Sequence, residues 1–135
     1  NGVIKAGDSS DYIGAFWDML PTFAELANVK NIKKTDGISI VPSLTKNGIQ
    51  QQHDYLYWEF HEQGGKQEVR QGNWKAIRLQ VDSLPGGPVE LYDLSKDPGE
   101  INNLALKFPE QAKTLAALMD KGHIKSELFP FKTEP

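Results

Sequence analysis

The sequence predicts an α+β fold in which an antiparallel β-meander of about four strands packs against a C-terminal helix. Three observations carry this reading. Apolar and polar residues alternate with period two between Asp54 and Leu94, the connections within that stretch are only a few residues long, and apolar positions return at helical spacing between Phe108 and Gly122.

From the N-terminus, Asn1 to Gly7 reads as a turn-rich lead-in. Tyr12, Gly14 and Phe16 alternate with Ile13, Ala15 and Trp17, which predicts a short strand buried on both faces. Asp18 is placed as the N-cap of a helix, with Pro21 in the first turn, where its missing N–H has no intrahelical partner to lose. Leu20, Phe23, Ala24, Leu26 and Ala27 form the apolar stripe of that helix, and Asn28 suits its end. Lys30 to Thr35 is a basic loop, and Ile38 to Leu44 predicts a short helix or turn closing at Asn47-Gly48.

In the meander, Tyr55, Tyr57 and Glu59 point one way while Leu56, Trp58 and Phe60 point the other. Gly64-Gly65 predicts an exposed loop before a second strand from Gln67 to Arg70, and Gln71-Gly72-Asn73 a tight turn into a third strand from Trp74 to Val81. Leu84 to Pro88 turns into a fourth strand, Val89 to Leu94. Strands joined this tightly run antiparallel, because a parallel return needs a crossover of about a dozen residues or more. Trp74 is expected in the core, and the cluster Tyr55, Tyr57, Trp58, Phe60 and Trp74 either packs there or offers a sugar-stacking face. Asp97-Pro98 ends the meander, and a helix from about Pro109 to Lys121 is expected to cover one of its faces.

Composition narrows the function classes. With 39% hydrophobic and 24% charged residues, the 135-residue chain falls in the globular range. Its 15 basic and 18 acidic residues give a formal charge of −3 without a basic run, which argues against nucleic acid as a partner. Cysteine is absent, so no disulfide, thiolate metal site or cysteine nucleophile is available within these residues. No apolar run reaches the roughly 20 residues of a membrane span. His53, His61 and His123 do not have zinc-ligand spacing. The carboxylates Asp54, Glu59, Glu62 and Glu68 read as solvated strand and loop charges before they read as a glycosidase pair.

Several segments, in order, resemble the C-terminal part of arylsulfatase-like sulfatases. Asp18-Met19-Leu20-Pro21-Thr22-Phe23-Ala24-Glu25-Leu26-Ala27 is similar to that family's Asp-x-x-Pro-Thr-Leu-x-x-Leu-Ala helix, and Asp36-Gly37-Ile38-Ser39 to its Asp-Gly-x-Ser segment. Trp58-Glu59 through Gly72-Asn73-Trp74-Lys75 resembles the strand and hairpin that open its C-terminal subdomain. The fullest match is Leu91-Tyr92-Asp93-Leu94, Asp97-Pro98, Glu100 and Asn103-Leu104-Ala105, which follows the family's Leu-Tyr-Asp-Leu-x-x-Asp-Pro-x-Glu-x-x-Asn-Leu-Ala signature.

The resemblance implies that residues 1–50 close a large alkaline phosphatase-like α/β catalytic domain. It makes 51–124 the C-terminal subdomain and 125–135 a loose tail. It implies sulfate ester hydrolysis by a longer protein, with calcium and a formylglycine made from Cys or Ser in a Cys/Ser-x-Pro/Ala-x-Arg motif. Neither that motif nor any Cys occurs here, so no catalytic residue is carried over, and the chain, which begins at Asn1, is expected to start inside the longer protein and be inert alone. The expected partners are the missing N-terminal catalytic domain and a sulfated small molecule or glycan, and family habit implies a periplasmic, cell-surface or lysosomal location. A phosphonate or phosphate monoester hydrolase of the same superfamily, or a free-standing carbohydrate-binding module, is the alternative. His61, Lys66 and Arg70 around the Gly64-Gly65 hinge are the candidate substrate-rim residues, since polar groups on a rigid strand end can reach an anionic substrate.

Overall fold

The computed structural model describes residues 3–133. The first two residues of the expected lead-in and the last two of the expected tail therefore lie outside the described residues. The chain divides into two compact units, Asn1–Asp54 and Tyr55–Pro135.

In the first unit the expected strand at Tyr12 to Trp17 is absent. Residues 12–15 are irregular and Phe16–Asp18 forms a 3-10 turn. Alternation alone makes no strand without a ladder to pair with, and Gly14 is pressed against its neighbours: a Cβ there would lie 2.6 Å from Tyr12 Cε1. Helix α1, Met19–Leu26, follows directly. Asp18 stands at the expected N-cap position of α1, but with helical angles (φ −71°, ψ −17°) and without a side-chain bond to the first turn, which corrects the capping role expected of its carboxylate. The C-terminal end is as expected. Asn28 takes φ +55°, Val29 N–H reaches Ala24 O (2.8 Å) and Asn28 N–H reaches Glu25 O (3.0 Å), the 6→1 and 5→2 bonds of a Schellman motif. The buried side of α1 is Thr22 and Ala24, whereas Leu20, Phe23 and Leu26 of the expected stripe are exposed. Thr22 Oγ1 donates to Asp18 O (2.6 Å) and accepts from Ile40 N–H (3.0 Å), tying α1 to the segment before the short helix α2, Val41–Thr45.

The second unit is the predicted meander. Strands β1 (Leu56–Phe60), β2 (Lys66–Gln71), β3 (Trp74–Leu79) and β4 (Val89–Asp93) form one antiparallel sheet in sequence order. The register pairs Gln71 with Trp74 across the two-residue loop Gly72-Asn73, and Gly72 takes φ +58°, as the first central residue of a type II′ turn requires. Tyr57, Val69, Ala76 and Leu91 thereby fall in one row on the face covered by helix α3, Pro109–Gly122. Ala112, Leu115 and Met119 of α3 close the core over Val69, Ala76 and Leu91. Trp74 is half-buried at the margin of this core, with its ring edge-on to Phe108 (centroids 5.4 Å apart), so it is not the deep core residue expected.

Strand β4 ends the sheet, and the sequence signature has its structural meaning there. Leu91 N–H donates to Asn103 Oδ1 (3.1 Å), Leu91 O accepts from Leu104 N–H (2.7 Å), and Asn103 Oδ1 also takes Ala105 N–H (2.9 Å). The returning loop thus satisfies the outward edge of β4, which would otherwise present free backbone groups. Asp97 turns that loop by accepting from the N–H groups of Ile101 and Asn102 (2.9 and 2.8 Å), and Glu100 anchors it to Lys75 Nζ (2.7 Å). Asn103→Ala leaves the N–H of fully buried Leu91 without its acceptor, so it is expected to cost about 1–3 kcal/mol in urea unfolding. A change below about 0.5 kcal/mol would mean that the loop does not close the edge.

Candidate functional site

The sheet register builds a polar row beside the core. Glu59 of β1, Gln67 of β2 and Arg78 of β3 lie opposite one another on the α3 face, one row along from Tyr57 and Val69. Their hydrogen bonds run in one direction. Arg78 Nη1 donates to Gln67 Oε1 (2.8 Å), Gln67 Nε2 to Tyr57 Oη (2.8 Å), and Tyr57 Oη to Glu59 Oε1 (2.6 Å). The Glu59 carboxylate also receives His61 Nε2 (3.1 Å) and His123 Nδ1. Burial, and then the hydrogen bond to Glu59, push the Tyr57 phenol well above its usual range, so it stays a donor. Arg78, buried on its β-strand, is further held by Asp120 Oδ1 (2.8 Å) on α3 and Gly87 O (3.2 Å). A chain of bonds linking three strands and α3 in this way fixes the geometry of the hairpin that leaves it.

That hairpin loop is covered. Phe131, 2% exposed, stacks on the His61 ring at 4.3 Å between centroids, and a Cβ on Gly65 (φ +74°) would lie 3.0 Å from its Cδ1. Val81 N–H and Asp82 N–H bond to the carbonyls of Gly65 and Gly64, and Lys132 N–H donates to Asp82 Oδ1 (2.9 Å). Gly65 is therefore buried and not the exposed tip expected, and the chain at 131–132 is fastened where a loose tail was expected.

The three expected rim residues do not converge. His61 continues the parity of Tyr57 and Glu59, and its ring lies under Phe131, where Nδ1 is buried without a hydrogen-bond partner among the described residues. Lys66 pairs with Phe60 and Arg70 with Leu56, on the opposite face of the sheet. Four residues apart on one strand, the two lie roughly 13 Å from each other. Lys66 Nζ sits 5.3 Å from the Phe60 ring centroid, and Arg70 Nε donates to Gly72 O (3.1 Å).

The first unit has a polar centre that sequence reasoning missed. Asp18 is fully buried, and its carboxylate accepts from Ala15 N–H (2.9 Å), Ile38 N–H (2.8 Å), Tyr12 Oη (3.3 Å) and His53 Nε2 (2.8 Å). Burial alone would raise this carboxyl, but the backbone donors of Ala15 and Ile38 and the His53 imidazole outweigh it and hold it below the usual range. Burial, with Asp18 second, pushes the Tyr12 phenol up to about 12.

Neither centre pairs a nucleophile with a base, and among the described residues no group of three or more His, Cys, Asp or Glu side chains is placed to hold a metal. The family profile described as N-sulphoglucosamine sulphohydrolase, C-terminal, matches residues 1–126. The chain belongs to the sulfatase family. Among its sulfatase relatives, the Delta 4,5-hexuronate-2-O-sulfatase of Bacteroides thetaiotaomicron is 37% identical over 112 residues, which are 76% of this chain and 22% of that protein. BT4656, solved in complex with its substrate D-glucosamine-2-N,6-O-disulfate, superposes with a TM-score of 0.73 at 25% identity, over 89% of this chain and 26% of its own. The phosphonate monoester hydrolase of Agrobacterium radiobacter shares the fold at a TM-score of 0.61 and 22% identity, over 96% of this chain and 31% of that one. The chain spans about a fifth of the length of the curated sulfatases it matches.

Proposed function

We propose that this chain is the C-terminal portion of an enzyme that hydrolyses sulfate esters, and that it shapes the substrate side of a site whose reacting groups lie elsewhere in the polypeptide. The match to the sulfatase C-terminal profile over residues 1–126 carries the reading. An exposed apolar side of the first unit supports it. Phe16 is 89% exposed, Phe23 62% and Leu20 57%, and large apolar side chains grouped at helical spacing mark a packing surface. The remaining polypeptide of the enzyme is the occupant this surface suits.

Formylglycine would supply the nucleophile and calcium would hold the sulfate in such an enzyme. The residues present do not fit either group: there is no Cys and no Ser in the required motif, and among the described residues no group of three or more His, Cys, Asp or Glu side chains is placed to hold a cation. What this chain contributes is position. Lys66 and Arg70 present two cations on the outer sheet face, and His61, fastened to Glu59 and Phe131, holds the closed end of the hairpin that carries them. In this form the three serve the substrate rim.

The test is the release of inorganic sulfate by the full-length protein from sulfated sugars and a small aryl sulfate, with a phosphonate monoester as competitor substrate. Sulfate release by the full-length protein and none by the 135-residue chain is expected. Preferential cleavage of the phosphonate ester, or turnover by the chain alone, overturns the reading. In the same assay Lys66→Ala with Arg70→Ala is expected to lower kcat/KM on the sulfated sugar more than on the aryl sulfate, and equal effects would remove the rim role.

A further inference from the structure

A cleft lies where β3 and β4 meet the loop before α3. It encloses about 550 Å³, within the range of small-molecule sites, and joins an aromatic wall to a polar rim. The wall is Trp74 and Phe108, held edge to face, with Leu104 beside them. The rim is Asn102, Lys96 and Lys107. Two carboxylates also line the cleft, and both are engaged. Lys96, and then Ser95, hold the Asp93 carboxyl below its usual range, and Asp97 is committed to the N–H groups of Ile101 and Asn102. Lys107 differs. Its Nζ sits 5.5 Å from the Phe108 ring centroid, and among the described residues it has no carboxylate within ion-pair distance.

From this arrangement we infer that the cleft binds a sulfated pyranose unit, one sugar of an extended substrate held away from the reacting bond. A pyranose offers a C–H face to the aromatic wall and hydroxyls to Asn102, and an equatorial or exocyclic sulfate meets the Lys107 ammonium. A purely apolar ligand would leave the Lys107 ammonium without a counter-charge, and a free anion would make no use of the two rings. The sulfate part of the inference rests on the sulfatase reading above, whereas the stacking part rests on the cleft alone.

The indole N–H signal of Trp74 in a 1H–15N correlation spectrum of the chain, assigned with Trp74→Phe, reports on the wall directly. N-acetylglucosamine 6-sulfate is expected to shift it saturably, with N-acetylglucosamine and inorganic sulfate each at least about fivefold weaker. Lys107→Gln, at an exposed position, is expected to weaken the sulfated sugar by about five- to tenfold without moving the melting temperature. No saturable shift, equal response to the sulfated and unsulfated sugars, or an unchanged response in Lys107→Gln would each overturn the inference. Sulfate release by the full-length enzyme, measured separately, distinguishes the outcomes: release without a Trp74 response removes the cleft and spares the sulfatase reading.

Discussion

Replacing Asp18 with alanine is expected to destabilise the first unit by about 3–5 kcal/mol, the cost of breaking a buried charged network by removing one member. Asp18 is fully buried, and alanine would leave the N–H groups of Ala15 and Ile38 and the ring of His53 facing a hole. Urea unfolding of the chain measures the cost, and a loss below about 1 kcal/mol would show that water replaces the carboxylate at little penalty. The same group sets an acid limit. Its carboxyl titrates lower in the folded state than in the unfolded state, where the ordinary value is near 3.9. The unfolded chain therefore takes up the proton first. The stabilisation is fully present above that ordinary value and is lost as pH falls through the lower, folded one. Asp18→Asn is expected to remove this part of the acid sensitivity, and an unchanged pH dependence of stability between about pH 5 and 2 would argue that other carboxylates dominate.

Leu115→Ala is expected to cost about 2–5 kcal/mol, because the side chain is completely buried between α3 and the sheet and its removal leaves a cavity that Val69, Leu91 and Met119 cannot fill. Leu106, a few residues earlier and 100% exposed, supplies the comparison: Leu106→Ala is expected to stay within about 0.5 kcal/mol. Similar shifts for the two would mean that α3 does not close the core.

The meander was legible because its signals are local. Period-two alternation, the glycine turn at Gly72 and the Asp97-Pro98 break each act over a few residues, and together they specify four strands in order. The first unit was less legible for the opposite reason. Asp18 looked like a helix cap because Pro21 follows it, but its partners Ile38 and His53 are distant in sequence, and a fully buried carboxylate is identified by partners, not by spacing. The apolar run from Tyr12 to Trp17 matched a strand pattern without a neighbouring strand to pair with. For the rim residues the sequence held an unused signal. His61 shares the odd parity of Tyr57 and Glu59, which lie on the core side, while the hairpin pairing sends Lys66 and Arg70 to the other face. The Glu59, Gln67 and Arg78 row became visible only with the register, because polar residues at strand positions read as solvent-facing until their opposite neighbours are known.

The Phe131 contact also sets an order of events during synthesis. The four strands are close in sequence and can zip together as each emerges, because each hairpin closes a short loop. Phe131 meets His61 and Gly65 only after α3 and the segment beyond it have been made. Until then the His61 ring and the hairpin glycines stand open to solvent and to proteases. The contact that guards the hairpin is thus the last of its partners to become available as the chain is made, and it rests on one aromatic side chain.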